Sequence, residues 1–284
     1  LSIIEMCVGL YIEASAETNW ATQNETIQLD IEVLNRSNQD IRLESINNTE
    51  GLNISKQINL KENTKYTFKE KLTVKSNQKP TTPYWLDEKG TLGMYKANKN
   101  LIGLPETPRI LNIDFNLLIN KTPITITKPV VQRFSKPDKG ELYRPFEIIP
   151  EVSAKITEKV IILENNKQRD VTLVLKAGRD NLEGYAEICY PNNWKVFPAK
   201  QKVSIKNKGE EQVLVFTIVP PTTQSEGYLT PIVTIGENKH SKELIKIEYD
   251  HIPMQTVLLP SETKIVRLDI KKRGENIAYI QGAG

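Results

Sequence analysis

The sequence predicts an all-β chain made of two antiparallel β-sandwich, Ig-like domains. Three observations carry that expectation. Apolar and polar residues alternate over short runs along most of the chain, helical spacing is confined to the first dozen residues, and Asn, Asp, Gly and Pro punctuate the runs at intervals of about 8 to 15 residues. At 284 residues the chain is long enough for two domains, each with its own core. Hydrophobic content of 38% beside 26% charged residues is a globular balance rather than that of a disordered chain.

Taken in order, residues 1–12 fit a short helix, with Ile3, Cys7 and Leu10 on one face, or a strand; the helix is the reading adopted, as the last helix of something upstream. From Thr26 the period becomes two. Ile27, Leu29, Ile31 and Val33 alternate with Gln28, Asp30 and Glu32, and "NRSNQD" turns the chain. Further strands are expected over Ile41 to Ile46, Leu52 to Leu60 and Tyr66 to Val74. The cleanest alternation is Leu111, Ile113, Phe115, Leu117 and Ile119, followed after Lys121-Thr122-Pro123 by Ile124 and Ile126. Between Ser76 and Arg109 the pattern fails: four prolines and three glycines interrupt it, and a loop of that length is usually functional or packed by its own side chains.

A second β-rich block starts near Pro150. Val171 to Ala177, Ala186 to Tyr190, Val203 to Ile205, Val213 to Val219, Ile232 to Ile235 and Leu244 to Tyr249 each read as a short strand. After Asp250 two more stretches, Lys264 to Ile270 and Ile277 to Ile280, flank a Lys-Lys-Arg-Gly turn and precede Gly282-Ala283-Gly284, the kind of glycine turn that follows the first strand of a βαβ unit. The expected organisation is therefore a lead-in over 1–20, a sandwich over 21–147 with an irregular loop at 76–109, an Ig-like sandwich over 148–250, and a tail over 251–284 leading into a missing α/β domain.

Chemistry is sparse. Lys+Arg 38 against Asp+Glu 35 gives +3, interspersed along the strands rather than gathered into the basic stripe that nucleic acid needs, so no nucleic-acid partner is expected. No apolar run approaches the ~20 residues of a membrane span. His240 and His251 have no metal-binding spacing and read as structural or solvated, Cys7 and Cys189 lie in different units, and no nucleophile elbow or Walker-type glycine loop occurs. Glu141 with Arg144 reads as an ion pair at a domain joint, and Asp87-Glu88 gives no reason for catalysis. The aromatic residues Tyr84, Trp85, Tyr95 and Trp194 admit two readings, plugs at the open ends of the sandwiches or rings that stack on a sugar. The plug is the reading adopted; the same four are the ligand-binding candidates if a glycan is a partner.

The strings "CVGLYIEASAE", "TPYWL", "LIGLPETP", "GELYRPFEIIPEV" and "IAYIQGAG", in that order, resemble the region downstream of the catalytic domain in large bacterial PIG-L/LmbE-type deacetylases. The stretch "GYAEICYPNNWKVFPAKQKVSIKNKGEEQVLVFTIVPP" is similar to Ig-like modules that accompany glycoside-active enzymes. The resemblance implies a parent enzyme that removes acetyl groups from N-acetylglucosamine-type sugars with zinc held upstream, in a periplasmic or secreted place. Its metal signatures have no counterpart here, so it implies an accessory, non-catalytic chain without a cofactor, whose partners are adjacent domains of the same polypeptide.

Overall fold

A computed structural model describes residues 2–271, 273–276, 278–280 and 282. Strands dominate, and they enclose two apolar cores. Around the first, a five-stranded sheet in the order Gly140–Pro145, Val131–Lys136, Leu10–Ala16, Thr26–Asn35, Lys65–Thr73 faces a four-stranded sheet in the order Asn53–Asn59, Ile41–Asn47, Asn112–Ile119, Thr122–Pro129. Alternation does what period two demands. Asn112–Ile119 buries Ile113, Phe115, Leu117 and Ile119, while its outward Asp114 and Asn116 accept hydrogen bonds from Thr127 and Thr125 of the next strand.

The second core lies between a four-stranded sheet, Val152–Ile156, Arg169–Ala177, Glu211–Val219, Lys195–Phe197, and a six-stranded one, Val160–Leu163, Thr263–Arg267, Ser225–Ile235, Leu182–Cys189, Gln201–Ile205, with Asn238–His240 added beside Ser225–Ile235. Pairing is antiparallel except between Val160–Leu163 and Thr263–Arg267, at a single contact of Ser15 with Val131, in a short pair made by Trp20–Ala21 and Glu147–Ile148, and at an isolated bridge from Asn35 to Glu62. The first core ends at Ile148 and the second starts at Val152, so three residues, Ile149, Pro150 and Glu151, join them. A hairpin, Lys242–Ile247 with Gln255–Pro260, stands outside both main sheets. Among the described residues no helix is long and apolar enough to cross a membrane.

Three expectations are corrected. The helix covers only Ser2–Cys7; Gly9, at φ +62°, ends it, and Leu10–Ala16 is an interior strand rather than a lead-in, registered from Leu10 opposite Asn35 to Ala16 opposite Leu29. Its signal was masked because Glu13 is itself buried, its charge carried by Arg133 3.3 Å away. The second sandwich does not stop at Asp250 either. Thr263–Arg267 lies between Val160–Leu163 and Ser225–Ile235, its Ile265 fully buried in the second core, a placement set by partners distant in sequence.

The third correction concerns the Glu141–Arg144 pair, which does not form. Residues three apart on a strand point to opposite faces. Glu141 instead accepts from the Tyr143 hydroxyl on its own face, and Arg144 reaches Glu248 of the second sandwich's hairpin. The strand expected at Ile277 to Ile280 and the Gly282-Ala283-Gly284 turn fall in part on residues outside those described.

Candidate binding site

The irregular segment 76–109 is held near both of its ends. At its start the Thr81 backbone N–H donates to the Ile148 carbonyl at 2.7 Å, and the Ile148 N–H donates to Thr81 Oγ1 at 2.9 Å, fixing the segment to the joint. Thr107 closes it: its hydroxyl donates to the Thr82 carbonyl at 3.1 Å and accepts from the Tyr84 N–H at 2.9 Å. The Tyr84 hydroxyl donates to the Leu104 carbonyl at 3.2 Å, and Asn98 caps the short 3-10 turn Lys99–Leu101. These bonds tie residues 81–84 to 104–107, while Leu92, Met94, Tyr95 and Ile102 between them stay exposed.

The four candidate aromatics separate. Tyr84 and Tyr95 line one groove of about 910 Å³, with Tyr95 67% exposed. Trp85 is half-buried and meets Tyr84 edge to face, ring centroids 4.9 Å apart, but it faces a second, very small cavity of about 10 Å³ beside Glu147 and Arg109. Trp194 joins neither. It is 3% exposed inside the second core and its Nε1–H donates to Ser225 Oγ at 3.1 Å, so it has neither ring face nor polar atom left for a ligand. Trp194 is removed from the candidate site for that reason.

Glu147 is the residue sequence reasoning passed over. It is 2% exposed, one carboxylate oxygen has no hydrogen-bond partner, and Arg109 lies 3.9 Å from the other. Burial pushes its carboxyl up to about 7, and the nearby Thr81 and Arg109 offset only part of that rise. The signal was present in "RPFEIIP", a lone acid within an apolar run. The neighbouring Arg109 is itself paired with Glu106.

The joint beside Glu147 is braced from several directions. Lys208 of the second sandwich donates from Nζ to Glu25 Oε1 at 2.7 Å and to the Trp20 carbonyl at 3.0 Å, both in the first. Lys246 Nζ lies over the Trp20 ring, 3.9 Å from its centroid. Lys139 pairs with Asp250 at 2.6 Å, Lys89 with Glu262 at 2.7 Å, and the Leu258 N–H donates to Thr82 Oγ1 at 3.2 Å. Among the described residues no three His, Cys, Asp or Glu side chains are grouped as a metal site requires. His251 lies 5.9 Å, centroid to centroid, from Tyr249, and His240 sits 3.5 Å from Glu151.

No family model matches this chain, and no curated protein sequence does. Among solved structures, a Salmonella alpha-2-macroglobulin mutant, Y1175G, overlaps 91% of this chain and 16% of that one at 9% identity and a TM-score of 0.30. The native conformation of E. coli alpha-2-macroglobulin overlaps 91% of this chain and 16% of that one at 10% identity and a TM-score of 0.29. A protein of unknown function from Porphyromonas gingivalis W83 overlaps 91% of this chain and 99% of that one at 6% identity and a TM-score of 0.20. This chain thus spans a small part of the macroglobulins it overlaps. Superpositions this loose carry no inference about ligand, activity or partner.

Proposed function

We propose that the chain is a non-catalytic accessory region, a stiff two-sandwich spacer that holds its neighbours in a larger polypeptide at a fixed separation. One observation carries this reading: three residues join the two cores, and ion pairs and hydrogen bonds from opposite sandwiches, Lys208 with Glu25 and Arg144 with Glu248 among them, brace that joint. Exposed ion pairs are individually weak, but several acting with a short, proline-containing link restrict the angle between domains. The finer proposal is that the larger polypeptide is a PIG-L-like sugar N-deacetylase; its support is the sequence resemblance alone.

A second reading, a carbohydrate-binding module, is favoured by one feature, the exposed Tyr95 ring beside Tyr84 over the large groove. Acetate release and metal content separate these readings from catalysis. The purified chain is expected to release no acetate from N-acetylglucosamine oligomers and to carry no stoichiometric zinc. Acetate release abolished by His240→Ala or His251→Ala would overturn the non-catalytic reading. Glycan binding lost in Tyr95→Ala, with stability unchanged, would favour the module over the spacer.

A further inference from the structure

A cavity of about 370 Å³ opens where the irregular segment, the joint and the start of the hairpin meet, and nothing so far assigns it a role. Its walls come from three places far apart in sequence. Pro80 and Pro150, both half-buried, supply apolar surface, with the buried Val152 and Leu258 behind them. Three exposed lysines also line it, Lys79 from the irregular segment and Lys239 and Lys242 from the second sandwich, beside a single acidic lining residue, Asp87. Lys79 and Asp87 are only loosely paired at 3.9 Å.

The other two lysines have no such neighbour. Glu243, next to Lys242, is engaged by Lys159, and Glu151, beside Pro150 in the joint, by Arg179. Among the described residues no carboxylate lies within 4.0 Å of the Lys239 or Lys242 ammonium. His240, between them, lines the same cavity, with its buried Nε2 3.5 Å from a Glu151 carboxylate oxygen. Burial holds its imidazole below the ordinary range, so at neutral pH the positive charge facing the cavity is that of the lysines.

A few charged groups converging on partly apolar walls at a domain junction is the usual anatomy of a small-ligand site, and the volume lies within the range of about 300–1,000 Å³ that such sites occupy. We propose that this cavity binds a small organic anion, a carboxylate or phosphate group carried on a compact ring about the size of a monosaccharide. The anion meets Lys239 and Lys242, and the ring lies against Pro80 and Pro150. Because the walls belong to both sandwiches, the occupied site ties them together. The inference rests on the cavity and not on the spacer reading.

The test is a titration of the intact chain, followed by amide chemical shifts, with glucuronate and glucose 6-phosphate as probes and with glucose and inorganic phosphate as controls. Saturable shifts at Ser241, Val152 and Leu258 are expected with at least one anionic sugar, at least tenfold tighter than with inorganic phosphate and absent with glucose. Which of the two sugars binds tells carboxylate from phosphate. Lys239→Gln combined with Lys242→Gln is expected to weaken binding tenfold or more with an unchanged unfolding temperature, since both side chains are exposed. Saturation by neither anionic sugar, equal binding of inorganic phosphate, equal binding of glucose, or an unaffected double variant would each overturn the proposal.

Discussion

Gly178 of the second sandwich lies so close to Pro150 in the joint that a Cβ on the glycine would sit 2.2 Å from the proline carbonyl oxygen and 3.1 Å from Thr22 Cγ2 of the first sandwich. The Gly178 N–H donates to the Glu151 carbonyl at 2.7 Å, so the closest approach, to Pro150, is backbone against backbone and cannot be relieved by a side-chain rotation. Gly178→Ala is expected to lower stability by about 1–3 kcal/mol, the range for overpacking a tight contact. Urea unfolding measures it; a change within about 0.5 kcal/mol, as at an ordinary surface position, would mean the joint yields freely.

The two sandwich aromatics differ in what their loss costs. Trp194→Ala empties a buried site and leaves Ser225 without its donor, for an expected loss of about 3–5 kcal/mol. Tyr95→Ala, at an exposed ring, is expected to change stability by no more than about 0.5 kcal/mol. Thermal unfolding of the two variants side by side checks both, and equal costs would contradict the placement of either ring.

Much of this fold was legible in the sequence where one face is buried and the other wet. Asn112–Ile119 and Thr26–Asn35 announce themselves because Asp, Asn and Gln stand between their Ile, Leu and Phe residues. Leu10–Ala16 was hidden because both of its faces are covered, and a buried Glu13 supported by Arg133 is indistinguishable from a solvated acid in a linear pattern. Thr263–Arg267 was hidden for a different reason: its neighbours Val160–Leu163 and Ser225–Ile235 are chosen by the closure of the sheet, which no local period encodes. The aromatic candidates were found, but not their separation, since the burial of Trp194 in the second core and the different cavities lined by Tyr95 and Trp85 arise only on folding. The lysine-lined cavity was not legible, because its walls meet only in three dimensions.

Glu147 makes stability depend on pH near neutrality. Its carboxyl titrates at about 7 in the folded chain against an ordinary value of 4.5. A raised acid binds more protons folded than unfolded, so its contribution is fully present below the unfolded value and is lost as pH rises through the folded one. Glu147→Gln should therefore gain on the parent between pH 5 and pH 8, by something on the order of 2–3 kcal/mol at the upper end. A stability difference independent of pH across that window would contradict the burial cost assigned to the charge.

Arg133 carries the opposite sign. It stands 3.1 Å from Glu32, 3.3 Å from Glu13 and 3.9 Å from Glu141 on the outer face of the first sandwich. Burial pushes the Glu32 carboxyl up, but hydrogen bonds from Arg133 and Lys65 outweigh that and hold it below the ordinary range. Stability from Glu32 is therefore present above the ordinary carboxylate range and lost as pH falls through the depressed value. Arg133→Met leaves Glu13 and Glu32 facing each other across adjacent strands with one cation fewer, at an expected cost of about 1–3 kcal/mol at pH 7. That deficit should shrink on acidification as the carboxylates take up protons. Denaturant melts at pH 7 and pH 4.5 test it, and a deficit that grows at the lower pH would contradict the electrostatic origin.

The stiffness of the joint can be measured with the residues already in place. The chain has two cysteines, Cys7 and Cys189, both exposed. Cys7 ends the helix that Glu5 ties to the first sandwich through Lys128 at 2.7 Å, and Cys189 ends a strand of the second. Spin labels on these two thiols report the distance between the sandwiches by pulsed electron resonance. A braced joint gives a single narrow distance distribution, which broadens when Lys208→Ala and Arg144→Ala are combined. A broad or multi-peaked distribution in the unaltered chain would contradict the spacer.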